Sequence, residues 1–360
     1  MRIALLSTPY IALPPRGYGG IELVVHHLSE GLVKRGHEVF LFSTGDSKTS
    51  SYLGFYYKKA IGNKLEYKNQ SFIIIPHLHQ FFKFIADKNI DIIHNHCGYE
   101  VLYFLDLQKI PFVTTLHGAF YKGLKSPSGL NDKKRRTLQI FKNHPYVSIS
   151  NQQRQGMPDL NYIKTVYNGI EINDFPFYKN HGRYLAFLGR ITPNKGLDIA
   201  IKVSQKVNLP LKISGYIEPG DRDYFQKNIV PLIKNNKNIT LLGESKSKKE
   251  KAKFLGNALC FLFPIRWHEP FGIVMVEAMA TGTPVVAFNK GSTKEVIADK
   301  KTGFIVKNEQ EMIQAIKKIN QINRLECRKR VENNFTVEIM VDNYIKVYEE
   351  VLTKYSKKSS

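Results

Sequence analysis

The chain has 360 residues, 42% hydrophobic and 23% charged, which provides for two cores of ordinary composition and excludes a disordered or fibrous protein. It carries 53 Lys+Arg against 31 Asp+Glu, a formal charge of +22, for which three sources stay open: an anionic membrane leaflet, a polyanionic acceptor or nucleic acid, or simply a lysine-rich genome. Three cysteines without motif spacing (Cys97, Cys260, Cys327) argue against a disulfide framework or zinc site, and no run approaches the ~20 apolar residues of a membrane span, nor is a signal peptide seen, so a cytoplasmic protein is expected.

The N-terminal half alternates strand-like and helix-like stretches, which implies βαβ units and a parallel sheet. Ile3–Ser7 reads as a buried strand, Glu22–Arg35 as an amphipathic helix closed by Gly36, and Val39–Ser43 as the next strand. Ser71–Ile75 reads as a strand and His79–Lys88 as a helix. Ile90–His94, Pro111–Leu116 and Tyr146–Ser150 follow as strands. Turn residues from Tyr167 to Gly182 mark a domain boundary. In the second half, Tyr184–Leu188, Leu211–Ser214, Asn238–Leu242, Ala258–Phe263 and Pro284–Phe288 are strand-like; Gly196–Val207, Lys248–Leu255 and Ile273–Ala280 are helical. A helical region begins near Glu309, and the tail from Lys354 to Ser360 reads as disordered. Two doubly wound domains facing across a cleft are expected, with ligands at the carboxyl ends of the strands.

Glu269 and Glu277 stand eight residues apart in HEPFGIVMVEAMATGTPVVAF. Pro270 closes a loop, Phe271-Gly272 leads into a helix, and Gly282 stops it. One carboxylate then sits just before a helix N-terminus and the other about two turns inside. The free N–H groups of that N-terminus make an anion site. Acidic groups on either side suit a ligand that is part phosphate and part polyol, such as a nucleotide sugar. Glu277 lies among Ile273, Val274, Met275, Val276, Ala278 and Met279, where an ionised group needs a reason.

Gly189-Arg190-Ile191-Thr192-Pro193-Asn194-Lys195-Gly196 follows a strand and places two cations around one tight turn, a pattern able to clamp a diphosphate. Gly17-Tyr18-Gly19-Gly20 follows strand one and opens a helix; it is not a dinucleotide fingerprint. Glu22 is a candidate helix cap. His117 ends the Pro111–Leu116 strand and is placed to bond a sugar hydroxyl or a leaving phosphate. His94 and His96 suggest metal at first sight, but without a completing ligand set they read as packing and hydrogen-bonding groups. Gly243-Glu244-Ser245 ends a strand and reads equally as a plain turn. Lys133-Lys134-Arg135-Arg136 precedes Leu138, Ile140 and Phe141; a solvated charged face and an amphipathic membrane-surface helix are both open.

The strings EPFG and EAMATGTPVV, the Gly-Arg and Lys-Gly pair, the glycine loop and the His-Gly together resemble the retaining glycosyltransferases of family 4, along nearly the whole chain. The resemblance implies the GT-B fold: an α/β chain of two Rossmann-like domains, 1–170 binding the acceptor and completed by a helix at about 337–355, and 171–336 binding the nucleotide sugar. It implies that Glu277 holds the ribose, that Glu269, Phe271, Gly272 and Ile273 meet the donor sugar or diphosphate, and that Arg190 and Lys195 stabilise the leaving diphosphate. Gly19 and Gly20 would lie near the donor phosphates and acceptor, and His117 at the donor sugar. It further implies transfer with retention and without a metal or cofactor, the nucleotide sugar being a substrate, onto a glycan or lipid-linked acceptor, with a bacterial surface polysaccharide or lipopolysaccharide as destination and an anionic membrane surface as a further partner. Nucleic acid is not expected. A nucleotide-sugar epimerase of the same architecture, or a basic anion-binding protein without activity, are the alternatives.

Overall fold

A computed structural model describes residues 1–17, 19–62, 71–107, 109–120, 132–234 and 236–359. Tyr18 of the glycine loop and Ser360 of the tail lie outside the described residues. The chain divides into two compact units, 1–169 with 337–360, and 170–336.

The first unit holds a seven-stranded sheet, among the described residues: β1 (Arg2–Leu6), β2 (Glu38–Ser43), β3 (Tyr52–Phe55), β4 (Ile92–Asn95), β5 (Phe112–Thr115), β6 (Tyr146–Ser148) and β7 (Tyr162–Thr165). The order is β3-β2-β1-β4-β5-β6-β7, and every pairing is parallel. β1 from Ile3 to Leu6 and all of β4 are buried on both faces, because helices cover a parallel sheet from both sides. Leu5 pairs with Leu41 on one flank and with His94 on the other, so this histidine stands in the middle of the sheet.

The second unit holds a six-stranded parallel sheet: β8 (Leu185–Leu188), β9 (Leu211–Ser214), β10 (Ile239–Gly243), β11 (Cys260–Phe263), β12 (Val285–Phe288) and β13 (Gly303–Val306), in the order β10-β9-β8-β11-β12-β13. In each sheet the order reverses once, between β1 and β4 and between β8 and β11. Loops leaving adjacent strands in opposite directions at such a point open a crevice at their carboxyl ends.

The Gly20–Lys34 helix buries Val24, Val25, Leu28 and Leu32 against β1 and against the final helix, Val337–Ser359, which contributes Val341, Tyr344, Tyr348 and Val351 to the same core. Composition alone predicts a disordered tail. It is helical through Ser359, since Lys354 bonds Glu350 one turn back and the Tyr355 hydroxyl donates to the Lys109 carbonyl. Ser71–Ile75 is not a strand. It is the first part of one helix, Ser71–Ile85, whose Ile73, Ile74, His77, Leu78, Phe81 and Ile85 are buried at helical spacing; the isoleucine run imitates a strand until Phe81 and Ile85 extend the period. β3, β7 and β13 have four residues each, and two of them carry a glycine that weakens the strand signal. Those glycines answer to packing: a Cβ on Gly54 would meet the Phe42 and Phe84 rings at 2.7 Å, and one on Gly303 the Val285 carbonyl at 2.0 Å.

Gly31 lets the two helices of the first core close on each other. A Cβ there would stand 2.4 Å from Val341 Cγ2. Gly31→Leu is expected to cost about 1–3 kcal/mol of overpacking, read from the midpoint of urea unfolding. An unchanged midpoint would show that the final helix does not seat on this face.

Candidate functional site

Three loops at the carboxyl ends of β8, β11 and β12 bring charged side chains of the second unit together. After β8 the chain passes Gly189 and Arg190, makes a short turn at Pro193–Lys195, and enters the Leu197–Val207 helix through Gly196. Gly196 is left-handed (φ 72°), and a Cβ on it would lie 2.1 Å from the Pro264 carbonyl oxygen, so only glycine brings this turn against the loop after β11. The two loops are then stitched together. The Arg266 N–H donates to the Asn194 carbonyl at 2.9 Å, and the Arg266 guanidinium meets both Asp198 oxygens, at 2.7 and 2.6 Å, and the Pro193 carbonyl at 2.9 Å. Burial alone would raise the Asp198 carboxyl; the Arg266 fork and the Tyr224 hydroxyl outweigh it and hold the group below its ordinary range.

This stitching puts Lys195 beside Glu269. The ammonium donates to Glu269 Oε2 at 2.6 Å, and the Trp267 indole N–H donates to the same oxygen at 3.0 Å. The Lys195 Nζ also lies 5.3 Å from the Trp267 ring centroid and 5.8 Å from that of Phe263. The Glu269 backbone is held from the other side: Ser292 N–H donates to its carbonyl at 3.0 Å, and a Cβ on Gly291 would overlap it. Arg190 pairs with Glu218 at 3.1 Å, and the Tyr216 hydroxyl donates to that same carboxylate oxygen.

The Ile273–Ala280 helix starts at Gly272, in the left-handed region (φ 75°), with no side-chain cap and no acidic residue in its first turn. Its N-terminal dipole is uncompensated by its own side chains. The preceding Phe271 is buried and packs on the Phe335 ring. Glu277 lies a little over one turn into this helix, not two, and is 2% exposed. Lys251, from the Lys248–Gly256 helix, donates to its Oε1 at 2.5 Å. Its Oε2 is buried with no hydrogen-bond partner among the described residues. Glu269 and Glu277 therefore hold different cations. An orphaned buried carboxylate oxygen is costly, and two hydroxyls of a ligand would satisfy it. Trp267, Glu218, Lys251 and the Arg266–Asp198 fork were not foreseen. A single tryptophan two residues before Glu269 was an available signal; the three others depend on tertiary placement.

In the first unit Gly19 precedes the Gly20–Lys34 helix, and a Cβ on it would crowd Pro15 at 2.6 Å. Gly20 is exposed, with open space where a side chain would be. Glu22 stands in the first turn of its helix, where its carboxylate accepts from its own backbone N–H. It is buried and accepts from the Thr8 hydroxyl at 2.9 Å, and burial pushes its carboxyl up. Arg135 leaves the solvated face expected of its basic run and donates to the carbonyls of Gly156 and Phe120.

His117 follows β5 and stands at the end of a hydrogen-bonded chain. His117 Nε2 lies 2.9 Å from His96 Nδ1, His96 Nε2 lies 3.3 Å from His94 Nδ1, and His94 Nδ1 lies 2.7 Å from the Tyr348 hydroxyl. His94 Nε2 meets Thr115 Oγ1 at 2.8 Å. Burial pushes His117 down to about 4, and His94 and His96 well below their ordinary value. Among the described residues no three or more His, Cys, Asp and Glu converge as metal ligands, and no helix is long and apolar enough to cross a membrane.

Residues 171–336 match the family described as Glycosyl transferases group 1, and residues 18–174 match Glycosyltransferase Family 4. An uncharacterized glycosyltransferase of Methanocaldococcus jannaschii is 30% identical over 92% of this chain and 95% of its own. The O-antigen chain mannosyltransferase C of Escherichia coli is 24% identical over 95% of this chain and 97% of its own. Among solved structures, Anabaena HepE in complex with UDP and glucose superposes with a TM-score of 0.73 at 16% identity, covering 97% of this chain and 100% of that one.

The buried histidines set a pH dependence. In the folded chain His94, His96 and His117 are neutral; unfolded, they titrate near 6.5. Between about 6.5 and about 4 the unfolded chain binds more protons, so stability is lost as pH falls through that window. Urea midpoints taken at pH 7.5 and 5.5, above the carboxylate range, should fall with pH. A flat profile would mean that the imidazoles titrate in the folded chain as they do in the unfolded one.

Proposed function

The chain belongs to the glycosyltransferases of family 4, with the GT-B fold, and from that premise we propose that it moves a sugar from a nucleoside diphosphate to a hydroxyl of a glycan or lipid-linked acceptor, keeping the anomeric configuration. One observation carries the reading: at the switch point of the second sheet the Lys195–Glu269 pair stands just ahead of an uncapped helix N-terminus, and the loop after β8 that supplies Lys195 also carries Arg190, paired with Glu218. A diphosphate finds charge there, and a sugar finds an acceptor for its hydroxyls.

In this reading Arg190 and Lys195 take the diphosphate. Glu269 accepts from sugar hydroxyls and aligns the anomeric carbon, while the N–H groups of Phe271, Gly272 and Ile273 bond the sugar or the phosphates. Glu277, through its unpartnered Oε2, takes the ribose hydroxyls. In the first unit Gly19, Gly20 and His117 serve the transferred sugar and its acceptor. The bond from the anomeric carbon to the phosphate oxygen breaks. The acceptor oxygen bonds that carbon on the same face, and its proton passes to the departing phosphate. As negative charge collects on the diphosphate, Arg190 and Lys195 neutralise it, the work a metal ion does elsewhere, so the reaction is proposed to be metal independent. A hexosyl donor and a bacterial surface polysaccharide acceptor are suggested by the O-antigen relative. The basic charge suits a protein that visits an anionic membrane surface, where lipid-linked acceptors reside. No observation favours an epimerase or an inert anion binder over transfer.

A thermal-shift panel of UDP, GDP, ADP and CMP with their sugars, with and without EDTA, tests the donor. One nucleotide class at about a hundredfold its Kd should add about 2.7 kcal/mol of stability, and EDTA should not remove it. Lys195→Ala and Glu277→Gln should lose the shift in part. Glu269→Gln should keep nucleotide binding and drop kcat by roughly 100-fold or more. No shift with any nucleotide on folded protein, or a shift abolished by EDTA, overturns the reading or its metal independence respectively.

A further inference from the structure

We propose that Tyr348, on the final helix, is a positioning residue for His117, and that it acts through His94 and His96 by fixing which nitrogen of the His117 ring carries the proton. The inference rests on the reading of His117 as a contact of the transferred sugar.

Tyr348 is fully buried among Val, Leu and Tyr side chains of the first core. Its hydroxyl meets His94 Nδ1 at 2.7 Å. A phenol enclosed in a core strands its proton unless it donates, and the distance is that of a donating hydroxyl, shorter than the usual reach of a ring N–H. His94 Nδ1 is then the bare nitrogen, and the single proton of the neutral ring sits on Nε2, donated to Thr115 Oγ1 at 2.8 Å. Thr115 is held in turn by the Tyr344 hydroxyl at 3.2 Å.

The rest follows link by link. His94 Nδ1 also faces His96 Nε2 at 3.3 Å across rings whose centroids lie 4.0 Å apart; its one lone pair is shared with the shorter Tyr348 bond, and because two bare nitrogens repel at this distance, His96 carries its proton on Nε2. His96 Nδ1 is therefore bare and accepts from His117 Nε2 at 2.9 Å. The three rings stay neutral because burial disfavours their charged forms. His117 is left with its proton turned inward and Nδ1 as a lone-pair acceptor. That nitrogen makes no hydrogen bond among the described residues, and the residue is partly exposed. A sugar hydroxyl then donates to Nδ1; in the opposite tautomer the ring would donate and the hydroxyl accept, which reverses the polarity of the contact and the hydroxyl's other hydrogen bonds. The choice is made at the far end of the chain, by a residue 254 positions later in sequence than His94.

Long-range ¹H–¹⁵N spectra of the full chain with ¹⁵N-histidine at pH 7.5 read the tautomers directly, with His117→Gln for assignment. Wild type should show His117 protonated on Nε2. Tyr348→Phe keeps the ring and removes the donor. It should move His117 toward the Nδ1–H form or a mixture and lower kcat by about three- to tenfold, the weight of one hydrogen bond, with KM for the nucleotide sugar nearly unchanged. Tyr344→Phe removes a hydroxyl from the same helix and should leave the tautomer as it is. Should Tyr348→Phe not fold, His96→Phe cuts the chain at its middle and should release the same tautomer. A wild-type His117 protonated on Nδ1, or a His117 tautomer unmoved in Tyr348→Phe, overturns the proposal. A moved tautomer with kcat and KM both unchanged upholds the relay and overturns the reading of His117 as a sugar contact.

Discussion

Lys195 and Glu269, 74 residues apart in the chain, meet at 2.6 Å, and the second unit is organised so that they do. An ion pair largely removed from water costs desolvation that its Coulomb attraction only partly returns, so such a pair is weak evidence of stability. What it shows is placement. The parallel sheet brings the ends of β8 and β11 side by side because its order reverses there. Gly196 lets the two loops touch, the Arg266–Asp198 fork locks them, and Trp267 bonds the oxygen that Lys195 already holds. With Oε2 doubly engaged, the carboxylate is fixed in orientation before any ligand arrives. Pre-organised charge is what transition-state stabilisation requires.

The buried polar groups of the two units obey one rule in different ways. In the first unit, imidazoles in the centre of a sheet are tolerated because each finds a partner and none carries charge. In the second, Glu277 is only half satisfied: Lys251 takes one oxygen and the other is orphaned. Natural cores rarely leave such an atom unpaired. A group that is incomplete alone and complete with a diol is what a nucleoside site would contain.

Much of this was readable from residue order. The Leu211–Ser214 strand and the Ile273–Ala280 helix appear with the bounds their patterns suggest, since alternating apolar residues and a glycine stop are strong local signals. The Arg190, Lys195 and Glu269 set was visible as loop chemistry after strands. The mates of these residues were not. Glu218, Lys251 and Asp198 look like any surface charge, because nothing local announces a partner 26 to 68 residues away. Ser71–Ile75 misled for the converse reason: three isoleucines suggest a strand locally, and only the core that accepts Phe81 and Ile85 reveals the helix. The glycines of β3 and β13 hid strands whose neighbours approach too closely for any side chain.

The net charge of +22 invites the idea that the site is an electropositive trap. The pairing says otherwise. Arg190 is matched by Glu218, Lys195 by Glu269 and Lys251 by Glu277, so each of these three cations faces a carboxylate. An incoming diphosphate must share or displace those carboxylates, which makes its binding weaker than an open cluster would allow. A free phosphate gains little from that exchange. A ligand that also offers hydroxyls gains more, because the carboxylates it loosens from the cations are the acceptors its sugar and ribose need. On the proposed reading, a site neutralised in this way would favour the whole nucleotide sugar over its fragments.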